Sequence, residues 1–276
     1  MRIVVATNAY DTFGGVFAQA YREAGGPEPE LVVVLPPRPE LGFRTPAERA
    51  LAAWKLVGPR GLARMAAARR LGRPLTRRDR AYGLQREWLS SLAEGGARVV
   101  EVPKLGDAQG MELLRGAAPD LLLSLGAPVI FPARVLEVPR LGAVNVHNGR
   151  LPQYRGHFAT FWEVARGERV SCTSIHVMTP KVDAGEVLAV EGCAVAGCAS
   201  FMDLMLEKKR SGGRLLAEVV RQVERTGALA PLPGRVPPPS TAPSGYFEFP
   251  RLADLRAFSW PAAGAVAKGD PAHHPG

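Results

Sequence analysis

Five short apolar runs constrain the fold of this chain more than any other feature: RIVVAT (2–7), ELVVVLPP (30–37), ARVVEV (97–102), DLLLSL (120–125) and AVNVH (143–147). Stretches with helical spacing separate them, among them VFAQAYREAG after the first run, a helix near 108–117 and a short helix around 132–138. A strand whose apolar character is continuous rather than alternating is covered on both faces, as in a parallel sheet. The alternation of such strands with helices predicts an α/β fold built on a doubly wound, mostly parallel, Rossmann-like sheet. Beyond it, SIHVM (174–178) and EVLAVEGCAV (186–195) read as two further strands, and 201–226 as a long helix. PLPGRVPPPSTAPSG (231–245) is too rich in proline for a regular element and reads as an extended strap. YFEFPRLADLRAF (246–258) reads as a docked edge with a short helix, and the last dozen or so residues as frayed.

No run approaches the ~20 consecutive apolar residues that span a bilayer. The N-terminal MRIVVATNAY turns polar too soon for a signal peptide. Cys172, Cys193 and Cys198 fit neither a disulfide framework nor a zinc pattern, so free thiols, no metal and a cytoplasmic location are expected.

The formal net charge of +9 is confined to residues 37–80, where eleven arginines and Lys55 face only Glu40, Glu48 and Asp79. The remainder of the chain balances to zero. Within that segment TPAERALAAWKLVG and GLARMAAARRLG have helical spacing, and a further helix is expected over 83–94. The segment reads first as a solvated helical hairpin, with Trp54, Leu56 and Met65 packing back onto the core. Its second reading is a dock for a nucleotide diphosphate, tRNA or an anionic membrane surface. Aromatics do not interleave with the arginines as a single-strand platform requires.

The chemistry-bearing stretch is VNVHNGRLPQYRG (144–156). Residues two apart on a strand point to one face, so Asn145 and His147 project together at the carboxyl end of their strand, where open α/β sheets gather ligands. VDAGEVL places Asp183 in a tight Asp-Ala-Gly turn between two strands. An amide, an imidazole and a carboxylate around one crevice suit acyl transfer to an amine: the amide stabilises an oxyanion, the imidazole moves a proton, and the carboxylate orients the imidazole or manages the amine's proton. On spacing alone a structural Asn-x-His and a plain turn remain the commoner readings.

DLLLSLGAPVIFPARVLEVPRLGAVNVHNGRLPQYRG, followed by TSIHVMTPKVDAGEVL, resembles the catalytic core of the 10-formyltetrahydrofolate-dependent formyltransferases. That family has the pattern Asn-x-His-x-Ser-Leu-Leu-Pro-x-x-x-Gly and, further on, a strand ending in Asp-x-Gly; Asn145, His147, Leu151, Pro152, Gly156 and Asp183 match it. The resemblance implies a catalytic trio of Asn145, His147 and Asp183, with 10-formyltetrahydrofolate as formyl donor. Its pterin is expected in a slot formed by Val129, Ile130 and Phe131 on one side and Thr179, Pro180, Lys181 and Val182 on the other. His176 matches a common family histidine, read either as a structural group or as a substrate contact. Two positions depart from the pattern. Gly149 replaces the usual serine, and Arg150 replaces a leucine and is expected to face an anionic acceptor or solvent. Arg155 is expected to fasten the loop through backbone carbonyls or to touch substrate, and Gly156 to adopt a backbone conformation closed to other residues.

The resemblance further implies a catalytic domain over 1–200, carrying the basic helical insertion at about 37–94, then a C-terminal helix and proline-rich extension over 201–276. Three acceptor branches compete. Methionyl-tRNA formyltransferases add a larger C-terminal domain that helps hold tRNA, which the short proline-rich tail argues against. The phosphoribosylglycinamide branch carries a glycine-rich phosphate loop after its first strand, which TNAYDTFGG matches poorly. Sugar-nucleotide N-formyltransferases keep the core and vary the rest. The expected acceptor is therefore the primary amine of a small molecule, phosphorylated or nucleotide-linked, such as a nucleotide sugar, with aminoacyl-tRNA as the alternative. Deformylase relatives use water and carry an N-terminal regulatory domain that this sequence is expected to lack. Two rivals lie outside this chemistry: a non-catalytic nucleic-acid or membrane binder on the same core, and a cysteine hydrolase using Cys172 with His176, four residues apart and without a third orienting group.

Overall fold

The computed structural model describes residues 1–8, 13–36, 42–59, 62–63, 70, 95–236 and 244–261. β1 (Ile3–Asn8), β2 (Leu31–Leu35), β3 (Arg98–Glu101), β4 (Leu121–Leu125) and β5 (Gly142–His147) run parallel in one sheet. β6 (Tyr154–Gly156) leaves that sheet, and the chain returns through β7 (Val170–Val177) and β8 (Val187–Ala194), each antiparallel to the strand before it in the order β3-β2-β1-β4-β5-β7-β8. β6 pairs in parallel with β9 (Gly245–Phe247), the docked edge expected near the end of the chain.

Seven α-helices are described: α1 (Gly14–Glu23), α2 (Pro46–Ala52), α3 (Ala108–Ala117), α4 (Ala133–Leu136), α5 (Ala159–Ala165), α6 (Phe201–Thr226) and α7 (Leu252–Ala257). The parallel strands are continuously apolar because successive side chains enter two different cores. Ile3, Val5, Val32, Val34, Leu121 and Leu123 pack with Phe17 and Tyr21 of α1 and with Leu216, Val219 and Val223 of α6. Val4, Ala6, Val33, Leu35 and Leu122 pack with Met111 and Leu114 of α3 and with Val135 of α4. At about 25 cal/mol per Å² of apolar surface, this two-sided burial is the main force holding the layers together.

A third apolar cluster joins distant parts of the chain. Ala52 and Leu56 pack with Phe161 of α5, Phe201 and Leu204 of α6, and Leu255 and Phe258 around α7. Thr45 caps α2 with a capping box to Glu48, and Pro46 opens the helix. The helix then widens into a π turn, Ala53–Val57, from which Lys55 Nζ donates to the Phe258 carbonyl at 2.7 Å. Trp54, expected in the core, is instead 57% exposed: the wider turn carries Leu56 inward and leaves the indole outside. Met65, most of the second basic helix and the expected helix over 83–94 lie outside the described residues.

Among the described residues no helix is long and apolar enough to cross a membrane, and no group of three His, Cys, Asp or Glu side chains could hold a metal ion. The topology places a crevice. From β1 the chain winds outward through β2 and β3, then resumes with β4 on the other side of β1, so the loops at the carboxyl ends of β1 and β4 part and open a cleft beside β5.

Candidate active site

Asn145 and His147 project from the end of β5 into one cavity, and Asp183 reaches it from the turn between β7 and β8. The antiparallel register sets Asn145 opposite His176 and His147 opposite Ser174. Asp183 Oδ2 lies 3.4 Å from His147 Nδ1, and its Oδ1 lies 3.4 Å from His176 Nε2. The Gly156 N–H donates to Oδ2 at 2.8 Å. Asp183 holds a left-handed φ of 48°, a conformation that Asp tolerates better than most residues. Gly156, at φ 98°, is a glycine of necessity: a Cβ there would lie 2.3 Å from the Phe247 carbonyl. β9 thus stands against the backbone that holds the carboxylate.

The hydrogen bonds fix both imidazoles. His147 Nε2 lies 2.6 Å from the Tyr154 carbonyl, which can only accept, so Nε2 carries the proton and Nδ1 offers its lone pair to the cavity beside Asp183. His176 Nδ1 lies 2.9 Å from the Val177 carbonyl, which makes that nitrogen the donor. With Nδ1 donating, His176 accepts from the Asn145 amide through Nε2 at 3.1 Å, and Asp183 Oδ1 lies beside the same nitrogen.

Burial pushes the His147 pKa down from 6.5, aided by charge on His176 and Lys208 and opposed by Asp183 and the Tyr154 carbonyl. Burial disfavours the Asp183 anion, but the His176 hydrogen bond, the His147 charge and the Gly156 N–H outweigh it and hold the pKa down at about 2. At neutral pH the pair is a carboxylate beside a neutral base.

The cavity has a volume of about 460 Å³. Gly126, Ala127, Pro128, Val129, Ile130 and Phe131 line one side, and Met178, Thr179, Lys181 and Val182 the other. Of the expected slot residues, all but Pro180 line it. Ile130 is 65% exposed, an apolar side chain standing open at the rim, whereas Phe131 is 2% exposed and anchors its loop in the core. Asn148, Ala159 and Thr160 also line it, as do His157, Phe158, Met205 and Phe249, the last from the segment after β9.

The profile of the formyl transferase family matches residues 75–220 of this chain. The chain belongs to the formyl transferase family. Methionyl-tRNA formyltransferase of Myxococcus xanthus (strain DK1622) is 32% identical over 179 residues, 61% of this chain and 57% of that protein. The corresponding enzyme of Synechococcus sp. (strain JA-2-3B'a(2-13)) is 31% identical over 127 residues, 46% of this chain and 39% of its own length. The chain thus spans about half the length of these curated relatives. Among solved structures, glycinamide ribonucleotide transformylase 1 from Symbiobacterium toebii shares the fold at a TM-score of 0.54 and 16% identity, over 80% of this chain and 86% of that one. A sugar N-formyltransferase from Shewanella sp FDAARGOS_354 does so at 0.51 and 12% identity, over 93% and 79%.

Within this member of the family the two departures from the pattern have structural correlates. A Cβ on Gly149 would lie 2.4 Å from the Ala159 side chain and 3.0 Å from His147 Nε2, so no serine fits there as the chain stands. Ser174 does the supporting work from the neighbouring strand: its hydroxyl donates to the Gly149 carbonyl at 2.7 Å and accepts from the Leu151 N–H at 3.1 Å. Arg150 is only partly buried. It does not line the cavity, and its half-buried guanidinium lies against the Cys172 thiol, with Glu168 and Glu163 nearby. Arg155 is likewise outside the lining, and its buried Nε makes no hydrogen bond among the described residues. Pairing of β6 with β9 holds that loop.

The cysteine-hydrolase reading loses its geometry. Cys172 is 1% exposed and does not line the cavity, and burial pushes its thiol pKa up. Four residues along a strand separate it from His176 by about 13 Å.

Sequence reasoning missed a buried polar network behind the reactive loop. Lys208 of α6 and Glu163 of α5, with side chains 0% and 1% exposed, pair at 3.3 Å. Both carried a signal: Glu163 interrupts the apolar run of FWEVA, and Lys208 falls on the buried stripe of Phe201, Leu204, Leu215 and Val219.

Proposed function

We propose that this chain transfers a formyl group from 10-formyltetrahydrofolate to the primary amine of a small acceptor, phosphorylated or nucleotide-linked. The observation that carries the reading is the meeting of Asn145, His147 and Asp183 in one cavity of about 460 Å³. That volume lies within the ~300–1,000 Å³ common for small-molecule sites. A flat heterocycle with hydrogen-bonding edges suits a slot made of loop backbone at 126–131 and 178–183 with Val129, Ile130, Met178 and Val182 as walls. Bound there, the folate would present an activated formyl carbon to the acceptor amine.

The chain's own groups divide the work. His147 Nδ1, with its lone pair in the cavity, takes the proton that the acceptor amine sheds on attack. Asp183 stabilises the imidazolium that results and, held by the Gly156 N–H, keeps the ring oriented. Asn145, set by His176, offers an amide N–H to the carbonyl oxygen as negative charge grows on it. His147 then holds the proton for the nitrogen that leaves.

A second reading keeps the chemistry and changes the acceptor to an aminoacyl-tRNA; it draws on the sequence similarity to methionyl-tRNA formyltransferases. The test is folate release from 10-formyltetrahydrofolate with amino sugars linked to nucleotides, glycinamide ribotide and methionyl-tRNA offered separately. Turnover with a small acceptor is expected. Turnover with methionyl-tRNA alone selects the second reading. Salt-sensitive RNA binding without turnover, unchanged by His147→Ala, overturns both in favour of a binding protein.

A further inference from the structure

The Lys208–Glu163 pair lies beneath the loop that follows His147, and the groups around it set the direction of its hydrogen bonds. Thr160 Oγ1 donates to the Asn148 carbonyl at 2.8 Å, and Ser171 Oγ donates to Glu163 Oε2 at 2.5 Å. Both hydroxyls have thus spent their hydrogens and can only accept from Lys208 Nζ, which lies 2.8 Å from the first and 2.6 Å from the second. Its remaining contacts, the Asn148 carbonyl at 3.1 Å and Glu163 Oε2 at 3.3 Å, accept as well. A neutral amine would aim a lone pair at one of these acceptors, so Lys208 is the ammonium. Glu163 receives donors only: the Arg150 N–H at 2.7 Å, the Cys172 N–H, the Ser171 hydroxyl and Lys208. It is the carboxylate.

A fully buried ion pair is a poor source of stability, because apolar residues of the same volume often do as well or better. What this pair holds is the turn between the reactive strand and β6. Lys208 takes the carbonyl of Asn148, Glu163 takes the N–H of Arg150, and the Arg150 carbonyl accepts the Tyr154 N–H at 2.8 Å. The Tyr154 carbonyl in turn fixes Nε2 of His147. We infer that the buried Lys208–Glu163 pair is a positioning device for His147: it sets the Asn148–Tyr154 turn, and through the Tyr154 carbonyl it selects the tautomer that leaves Nδ1 free as the base. The inference rests on the proposed formyl transfer only where activity is the readout.

Two readouts test it, one independent of any reaction. Nitrogen-15 NMR of the histidine rings reports the tautomer of His147, assigned with His147→Gln, in the wild type, in Glu163→Gln and in Lys208→Met/Glu163→Leu. The wild type should show a single Nε2–H tautomer. The double variant, in which neither charge is left without its partner, should fold and show a mixture. Steady-state kinetics on the same proteins should show kcat lower by about ten- to a hundredfold, the scale of a small misplacement in a reacting geometry. The donor KM should stay within about twofold, because residues 129–131 and 179–182 make no hydrogen bond to the pair, even though Asn148 and Thr160, which do, line the same cavity. Should the double variant fail to fold, Glu163→Gln carries the same comparison, since it keeps the volume and removes the charge. A folded variant with the wild-type tautomer and wild-type kcat overturns the inference. A protein with no formyl transfer but a tautomer that shifts with the pair refutes the proposed reaction and leaves the positioning role standing.

Discussion

Asn145 and His176 are direct cross-strand partners on β5 and β7, and their side chains meet at 3.1 Å with the Asp183 carboxylate closing over the imidazole at 3.4 Å. The antiparallel turn-back of the chain after β5 therefore makes the site. A further parallel strand could not place the Asp-Ala-Gly turn beside the end of β5 without a crossover.

Replacing Asp183 with asparagine preserves shape, and Asn also accepts the left-handed φ of 48°. Asp183→Asn is expected to stay folded by circular dichroism and to lose ~10²–10⁴-fold in kcat, the usual contribution of an acid–base group. A loss under tenfold contradicts the assignment. The carboxylate also couples stability to pH. Its folded pKa of about 2 is below the ordinary 3.8, so its contribution is present above pH 3.8 and is lost as pH falls toward 2. That contribution is worth about 2 kcal/mol, and acid unfolding of Asp183→Asn should lack this segment of the curve.

The pH profile should carry the mark of His147. Its folded pKa lies below the ordinary 6.5, so kcat/KM should hold as pH drops through 6.5 and fall only on protonation below it. The sign for stability follows from the same shift. The unfolded chain takes the proton first, so the stability due to neutral His147 is present above pH 6.5 and is lost as pH falls. An acid limb centred above 6.5 would exclude His147 as the base.

Gly156→Ala forces a Cβ to within 2.3 Å of the Phe247 carbonyl at a φ of 98°. Such strain costs roughly 1–3 kcal/mol, to be read from urea unfolding. Because the displaced N–H is the one on Asp183 Oδ2, kcat should fall more than the donor KM rises.

Installing the family's usual serine is expected to harm this chain. Gly149→Ser drives a Cβ against Ala159 and His147 and should cost ~1–3 kcal/mol as overpacking. Removing the Ala159 methyl group in Gly149→Ser/Ala159→Gly should recover most of that loss. Equal urea midpoints for the single and double variants would show that the collision is relieved elsewhere.

The strands and the trio were legible because each leaves a local mark. Two-sided burial writes an unbroken apolar run, and the i, i+2 spacing of Asn145 and His147 declares a shared face. Contacts between distant segments left no such mark. The pairing of Tyr154 with Gly245 and the Phe249 wall depend on how the tail folds back across the loop. The neighbours of Arg150, Cys172 and Glu168, left no mark because they come from segments distant from it in sequence. Trp54 was misassigned because a π turn breaks the periodicity from which burial is read. Lys208 and Glu163 were overlooked because lysine and glutamate on a helix ordinarily face water.

The pairing of β6 with β9 puts the tail of the chain mechanically in series with the reaction centre. The ribbon at 245–247 grips 154–156, and the last amide of that grip is tied to the Asp183 carboxylate. A shift of the backbone near Phe247 therefore reaches the amide that holds Asp183 through a single strand pairing.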